Sequence, residues 1–422
     1  MSARSLVRRF VLLRALRWLP LGIGLPFFVL LPIDRGLGLG EVGVMWAAHS
    51  IVAIICEVPS GGLADSIGRR PTLLMGGTLT AAALAGLAVA TGLVGFMLAT
   101  ATLAAGRALI SGSLEAWFVD ELRTTDAHAP LHRPLAAGST AEALGTAFGA
   151  AVGGVIPLLI TGLPEHGDAA LVRLSVPFLA AAGAALVYVV AVAAFVREPR
   201  RVAGGTWRDT ATATRDGLRA ARASRNVRLV LGVAIIVGLV MSTTELLWQP
   251  RLEQLVGEGN RSWLFGALAA TSMAAAAAGS ASSPWIGARA GNRRVYAGAL
   301  VAAAATVALL AAAQATVLFC AVYLLYFWAL GLADPMHFAV LHESIEGDTR
   351  ATVASAEGLA TQVGGIGGNL MLAPLAATAG LGLAWGIAAA AAVGGALLAS
   401  ATRPARAPAR PRPRPAAPSG VA

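Results

Sequence analysis

Two charged side chains stand inside long apolar stretches of the sequence. Arg107 lies about 12 residues into one stretch, which corresponds to a depth of about 18 Å in a helix, and Glu57 lies well inside another. A charge in an apolar medium is costly, so it faces a cavity or an opposite charge. The similar depths predict an ion pair between Glu57 and Arg107. Two interpretations stay open: a structural pair, or an arginine that contacts substrate or protons.

Further carboxylates lie in the apolar stretches, nearer their ends. Glu115 follows Arg107 by eight residues, which predicts that both lie on the same face of one continuous helix. An apolar environment favours the neutral form of a carboxyl group, so such a group can take up and release a proton. The candidates for proton or substrate binding are Glu57, Arg107, Glu115, Glu142, Asp334 and Glu357.

A short hydrophilic segment separates the second apolar stretch from the third. It runs from Gly61 to Pro71 and contains Asp65, Gly68, Arg69 and Arg70. A turn this short joins two helices whose ends lie side by side, and its glycines allow the backbones to approach closely. The arginines are suited to binding carboxylates, helix C-termini or lipid phosphates.

This segment resembles the loop between helices two and three of the major facilitator superfamily of membrane transporters. The resemblance implies an all-α membrane protein with twelve transmembrane helices in two pseudo-symmetric six-helix bundles. It also implies that Arg69 or Arg70 contacts Asp120 and that Asp65 caps the start of the eleventh helix. The latter contact crosses between the bundles, so Gly61, Asp65, Gly68, Arg69, Arg70 and Asp120 form a predicted conformational switch.

The composition supports a membrane protein and excludes a soluble enzyme of this length. The chain is 57% hydrophobic and only 13% charged, against roughly a quarter charged in soluble domains. The formal charge of +10 is spread over short arginine clusters between apolar runs, which argues against a nucleic-acid surface. Cys56 and Cys320 lie in apolar segments, so we expect neither a disulfide framework nor a bound metal, and no cofactor.

Twelve apolar segments are long enough to cross a membrane. A spanning helix needs about 20 mostly apolar residues. The predicted spans are 11–32, 42–63, 72–91, 95–121, 137–161, 174–196, 227–248, 263–286, 295–313, 316–340, 353–378 and 382–401.

The distribution of arginines predicts the orientation and the domain boundaries. Arginines are dense on the side of both termini and sparse on the other side, so both termini are expected in the cytoplasm of a cell with the chain in its inner membrane. The predicted domains are a bundle at 1–196, a linker at 197–226, a bundle at 227–402 and a disordered tail at 403–422. The linker's arginines fall on one helical face, which indicates a helix lying on anionic lipid headgroups.

Three pairs of segments repeat at similar offsets, as a duplication of six helices requires. The run 142–146, which begins with Glu142, recurs at 357–361, which begins with Glu357. The run 112–116, which contains Glu115, recurs at 331–335, which contains Asp334. The hydrophilic segment from Gly61 to Pro71 recurs, with fewer matching residues, at 287–294. In transporters built from parallel repeats, the substrate site lies between the two halves near the membrane midplane.

Small residues line the fifth predicted span. Gly145, Gly149, Gly153 and Gly154 allow close packing of helices. Their spacing resembles a pattern of the superfamily's drug–proton antiporters, although Ala150 replaces the proline of that pattern.

The resemblance implies a drug or metabolite exporter that is coupled to protons and works by alternating access. We expect a monomer that binds a small-molecule substrate, with the proton as its coupling ion. An uptake symporter for an organic anion attracted by Arg107 is the alternative. A membrane enzyme or a non-transporting sensor is more remote, because the six histidines are scattered and form no catalytic or metal cluster in the sequence.

Overall fold

The computed structural model describes residues 3–126, 129–165, 167, 169–197, 225–257, 261–344 and 350–402. Within these ranges the chain is helical and contains no strand. The predicted interfacial helix at 197–226 and the tail at 403–422 fall almost wholly outside the described residues.

In the described residues, the N-terminal half contains eight helices. Two short 3₁₀ turns, Leu25–Phe27 and Arg173–Ser175, precede α2 and α8. The helices are α1 (Ala3–Gly24), α2 (Leu30–Asp34), α3 (Leu39–Ile67), α4 (Arg69–Val89), α5 (Gly92–Ile110), α6 (Ser113–Thr125), α7 (His132–Leu159) and α8 (Val176–Phe195).

The described part of the C-terminal half contains seven helices and one π-helical turn, Gly368–Leu372, which joins α13 to α14 without a break. The helices are α9 (Arg225–Val256), α10 (Ser262–Ala290), α11 (Asn292–Ala312), α12 (Thr316–Ser344), α13 (Arg350–Gly367), α14 (Ala373–Ala379) and α15 (Leu381–Ser400).

These helices form the predicted set of membrane spans. Eleven helical segments of the described residues are long and apolar enough to cross a membrane, with α5 and α6 counted as one. The continuous helical segment from α13 through α14 makes the twelfth. The fold class predicted from the sequence is therefore confirmed. The first span begins earlier than predicted, at Ala3, and α9 continues to Val256, eight residues past its predicted end at 248.

An even number of crossings places residues 3 and 402 on the same side of the molecule. We call this side the terminal face and the opposite side the far face. The turns at Gly68 and Gly291 lie at the terminal face, and their φ angles are similar, 101° and 81°. Only glycine adopts such a conformation without strain. The two copies of the hydrophilic segment found in the sequence therefore share a glycine turn with the same backbone conformation.

Glycines bring the first and fifth spans of each half into direct backbone contact. A Cβ atom at Gly149 of α7 would lie 2.5 Å from the carbonyl oxygen of Leu19 in α1. In the other half, Gly364 of α13 lies in the same way against the carbonyl oxygen of Ile235 in α9. Both residues of this contact recur at nearly the same offset, so the duplication extends to the packing of the helices.

The other glycines of the fifth span have two different neighbours. Gly145 and Gly153 also lie against backbone carbonyls of α1, whereas Gly154 contacts Gly266 of α10, in the other half. The first contact holds one bundle together and the second joins the two bundles. One helix therefore packs its small residues on two sides.

We expect the substitution Gly149→Ala to destabilise the protein. The added methyl group meets a backbone oxygen that cannot rotate away, and overpacking of this kind costs about 1–3 kcal/mol. Thermal unfolding in detergent measures the effect. The matched control is Gly183→Ala, since a Cβ at Gly183 of α8 meets nothing within 4 Å. Equal melting temperatures for the two variants would contradict the proposed packing.

Candidate functional site

A polar cavity lies between the two halves, at the level of the deepest charged residues. Its volume is ≈ 130 Å³, and its walls come from α1, α3 and α5 of the N-terminal half and from α13 of the C-terminal half. Its polar lining residues are Arg17, His49, Glu57, Arg107, Ser111 and Gln362.

The cavity opens toward the terminal face. His49 on α3 is buried, whereas Glu57, two turns nearer the terminal face on the same helix, is exposed. On the fourth span, Ser111 is likewise exposed and lies one turn beyond Arg107. Water therefore reaches the cavity past Glu57 and Ser111.

Positive charge dominates the cavity lining. The guanidinium groups of Arg17 and Arg107 lie 5.8 Å and 5.5 Å from the ring centroid of Trp18, a cation–π arrangement that orients both. Glu57 is the carboxylate among the lining residues. It lines the same cavity as Arg107, but the predicted ion pair between them is not formed in the described structure. Two guanidinium groups and one carboxylate suit an anionic ligand.

His49 adds a polar atom to the same site. Its Nδ1 lies 2.9 Å from the carbonyl oxygen of Thr100, which can only accept a hydrogen bond. Nδ1 therefore carries a hydrogen and donates it. In the neutral ring this leaves Nε2 as an acceptor for a ligand or a water molecule.

Glu115 does not share a helical face with Arg107, contrary to the expectation from their spacing. The fourth span breaks at Ser111 and Gly112, where Gly112 has a φ of 72°, so α5 and α6 are separate helices. The new direction of α6 brings Glu115 to Arg14 on α1. Eight residues of separation would have predicted the face correctly only in an unbroken helix.

Arg14 is the centre of a charge cluster in the N-terminal half. It contacts the carboxylates of Glu115 and Glu142, the latter at 2.5 Å, and Arg17 lies 3.7 Å from Glu115. Three helices, α1, α6 and α7, are joined by these contacts. Two of the predicted proton or substrate candidates are thus held by arginines.

The two candidates of the C-terminal half lie in a different cluster. His337 on α12 contacts Glu357 on α13 at 2.5 Å and Tyr296 on α11 at 3.0 Å. Asp334 lies one helical turn before His337 and is exposed. The partner of Glu357 is therefore an imidazole, whereas Glu142 has a guanidinium partner.

The segment from Gly61 to Pro71 lies at the terminal face. Its arginines make two of the contacts predicted from the sequence, one with a carboxylate and one near the C-terminal end of a helix. Arg69 donates to Asp120 at 2.5 Å, and Arg70 donates to the carbonyl oxygen of Ala193 near the end of α8 at 2.8 Å. In the other half Arg293 donates to a carbonyl just beyond α15 in the same manner, at 2.7 Å. The side chain of Asp65 and the surroundings of Gly61 lie outside what the structure describes, so the predicted cap of α13 stays a prediction.

Contacts between the halves close the far face. Gly43 of α3 lies against Asn369 and Ala373, at the π-helical turn, and Gly154 lies against Gly266. Small residues again permit the close approach.

Gln249 on α9 completes this closure, and the sequence analysis missed it. Its side chain is buried and reaches the break after α1 in the other half. Its Oε1 accepts hydrogen bonds from the backbone N–H groups of Val29 and Leu30, and its Nε2 donates to the carbonyl oxygen of Leu25. A lone amide in an apolar span and prolines near the end of the first span were the available signals.

Comparison with known proteins agrees with this architecture. The family model described as Major Facilitator Superfamily matches residues 11–287. No curated protein sequence matches the chain. The nucleoside transporter NupG superposes with a TM-score of 0.77 at 15% identity, over 93% of this chain and 98% of that one. A bacterial homologue of the human lysosomal transporter Spinster, in an inward-facing and unoccupied conformation, superposes with a TM-score of 0.66 at 14% identity, over 94% of each chain.

The two helix bundles and the cavity between them define a multi-pass membrane transporter, not an enzyme. The chain belongs to the major facilitator superfamily. The structural likenesses concern the fold, since their sequence identities are low.

Loss of the Gln249 amide should loosen the closure of the far face. In a variant without Cys56 and Cys320, a cysteine replacing the buried Ser262 of α10 reports on this region. We expect Gln249→Leu to increase its rate of reaction with a water-soluble maleimide roughly tenfold, because three hydrogen bonds between the halves are lost. Thr243→Val on the same helix is the control, since the buried hydroxyl of Thr243 donates to the carbonyl oxygen of Leu239 within α9. Equal rates for both variants would exclude the proposed role.

Proposed function

We propose that the protein exports a small molecule across the cell membrane in exchange for protons, by alternating access. The observation that carries this proposal is the cavity beside Arg107, which opens toward the terminal face, while the Gln249 amide joins the halves beneath a pocket of ≈ 360 Å³ at the far face. The excess of arginines on the terminal side assigns that face to the cytoplasm. The conformation is then the one that takes up cargo from inside the cell.

Export is supported by the glycine pattern of α7, which resembles that of drug–proton antiporters. In this chain, Gly149 and Gly153 pack against α1 while Gly154 packs against the opposite half. A helix with close contacts on both sides is suited to transmit a movement of one bundle to the other. In the same proposal, anionic lipid headgroups bind the arginine-rich face, and the protein is a monomer.

Uptake of an organic anion with protons is the second candidate, and the charge of the cavity favours it. Arg17 and Arg107 line the cavity and attract an anionic solute. Both functions use the same cavity and differ in the direction of net flux.

Inverted membrane vesicles distinguish the two directions. A panel of labelled antibiotics, dyes and small organic acids is tested with and without an acidic interior. We expect an acidic interior to drive accumulation of the cargo, since protons leaving the vesicle exchange for it. Vesicles that lack the protein provide the baseline. Accumulation only in right-side-out vesicles with an acidic exterior would establish uptake instead.

Arg107 is expected to determine the affinity for anionic cargo. Replacing Arg107 with Gln removes a charge-assisted contact worth about 1.5–3 kcal/mol, which corresponds to roughly 10- to 100-fold weaker binding. The initial rate of transport over a range of cargo concentrations measures the change as a higher KM. Arg4→Gln, at the exposed start of α1, is the control for the loss of one positive charge. An unchanged KM for an anionic cargo would exclude Arg107 from the binding site.

A further inference from the structure

The two halves place carboxylates at equivalent positions and neutralise them differently. Glu115 and Glu142 of the N-terminal half correspond to Asp334 and Glu357 of the C-terminal half. Arg14 binds both carboxylates of the first pair. An arginine keeps its charge at every physiological pH, so this cluster has a fixed charge.

In the C-terminal half the partner of the equivalent carboxylate is an imidazole, which is able to change its charge near neutral pH. The side chains of His337 and Glu357 are 14% and 18% exposed, so water can reach the pair without separating it. When the hydroxyl of Tyr296 donates to Nδ1, the neutral imidazole carries its hydrogen on Nε2, which lies 2.5 Å from Oε1 of Glu357.

A second proton fits this arrangement without any movement of heavy atoms. If Nδ1 becomes protonated, it donates to the Tyr296 oxygen, and the contact of Nε2 with Glu357 becomes an ion pair. The hydroxyl hydrogen only has to rotate. The geometry therefore accommodates both charge states of His337.

Carboxyl and hydroxyl groups surround His337. The titratable groups that face it are Tyr296 from α11, Asp334 from its own helix and Glu357 from α13. The neighbouring α10 packs small residues such as Gly279 and Gly287 against α12, and α9 contributes valines that pack near Leu341. A positive charge on the imidazole would therefore lie beside two carboxyl groups.

We propose that His337 and Glu357, with Asp334, form the binding site of the coupling proton. This inference rests on the proton coupling of the proposed function. In each cycle one proton from the water on one side binds the His337–Glu357 pair and leaves to the water on the other side, with no other bond made or broken. Glu357 lies on α13 five residues before Gln362, which lines the central cavity, so one helix connects the proton site with the cargo site.

Nuclear magnetic resonance of the ¹⁵N-histidine-labelled full-length protein in lipid nanodiscs tests the site without any cargo. The spectrum of His337→Gln identifies the signal of His337. We expect Glu357→Gln to shift this signal, because Nε2 of His337 loses its charged neighbour. Glu245→Gln removes another intramembrane carboxylate, on α9, and should leave the signal of His337 in place.

A His337 signal that Glu357→Gln leaves unchanged would overturn the proton site. His337→Arg provides the transport arm, since it gives the C-terminal cluster a fixed charge like that of the other half. With a cargo from the vesicle panel, this variant should keep exchange across the membrane and lose accumulation driven by a pH gradient. Accumulation equal to that of the wild type would also overturn the assignment. Wild-type transport without any pH dependence would refute the proposed coupling, while the spectra would still report on the contact between His337 and Glu357.

Discussion

A charge inside the membrane has to be compensated by groups within reach, and this constraint organises the whole molecule. Arg14 satisfies it for Glu115 and Glu142 and thereby ties three helices of the N-terminal half together. Arg107 satisfies it differently, through the ring of Trp18 and an opening to water. The charges of the Arg14 cluster thus compensate one another, and Arg107 faces the cavity.

The duplicated architecture preserves backbone contacts more strictly than side-chain chemistry. Gly149 and Gly364 meet equivalent carbonyl groups, because two helices can approach this closely only where no side chain intervenes. The charged clusters are free to diverge: Arg14 on the first span binds Glu142, whereas His337 on the tenth span contacts the equivalent Glu357. The two halves therefore share the packing of their helices but differ in their charged clusters. This difference lets them respond differently to their surroundings.

The sequence predicted the features that depend on local order along the chain. The number of spans, the turn at Gly68 and the repeat follow from apolar length, glycine and residue spacing. The partner of Glu115 did not follow, because one left-handed residue, Gly112, redirects the helix that carries it. Gln249 was missed for a related reason: helices that are apolar on all sides do not reveal which face meets a neighbour.

The gap between α1 and α2 has a consequence for how the far face opens. Gln249 supplies hydrogen bonds to backbone groups that no helix satisfies there. Backbone groups at membrane depth need a hydrogen-bond partner, so these groups must bind water when the Gln249 amide moves away. Separation of the two halves and entry of water between α1 and α2 therefore occur together. Because water replaces the bonds almost one for one, the exchange is nearly balanced in free energy, and the barrier depends on how quickly solvent enters.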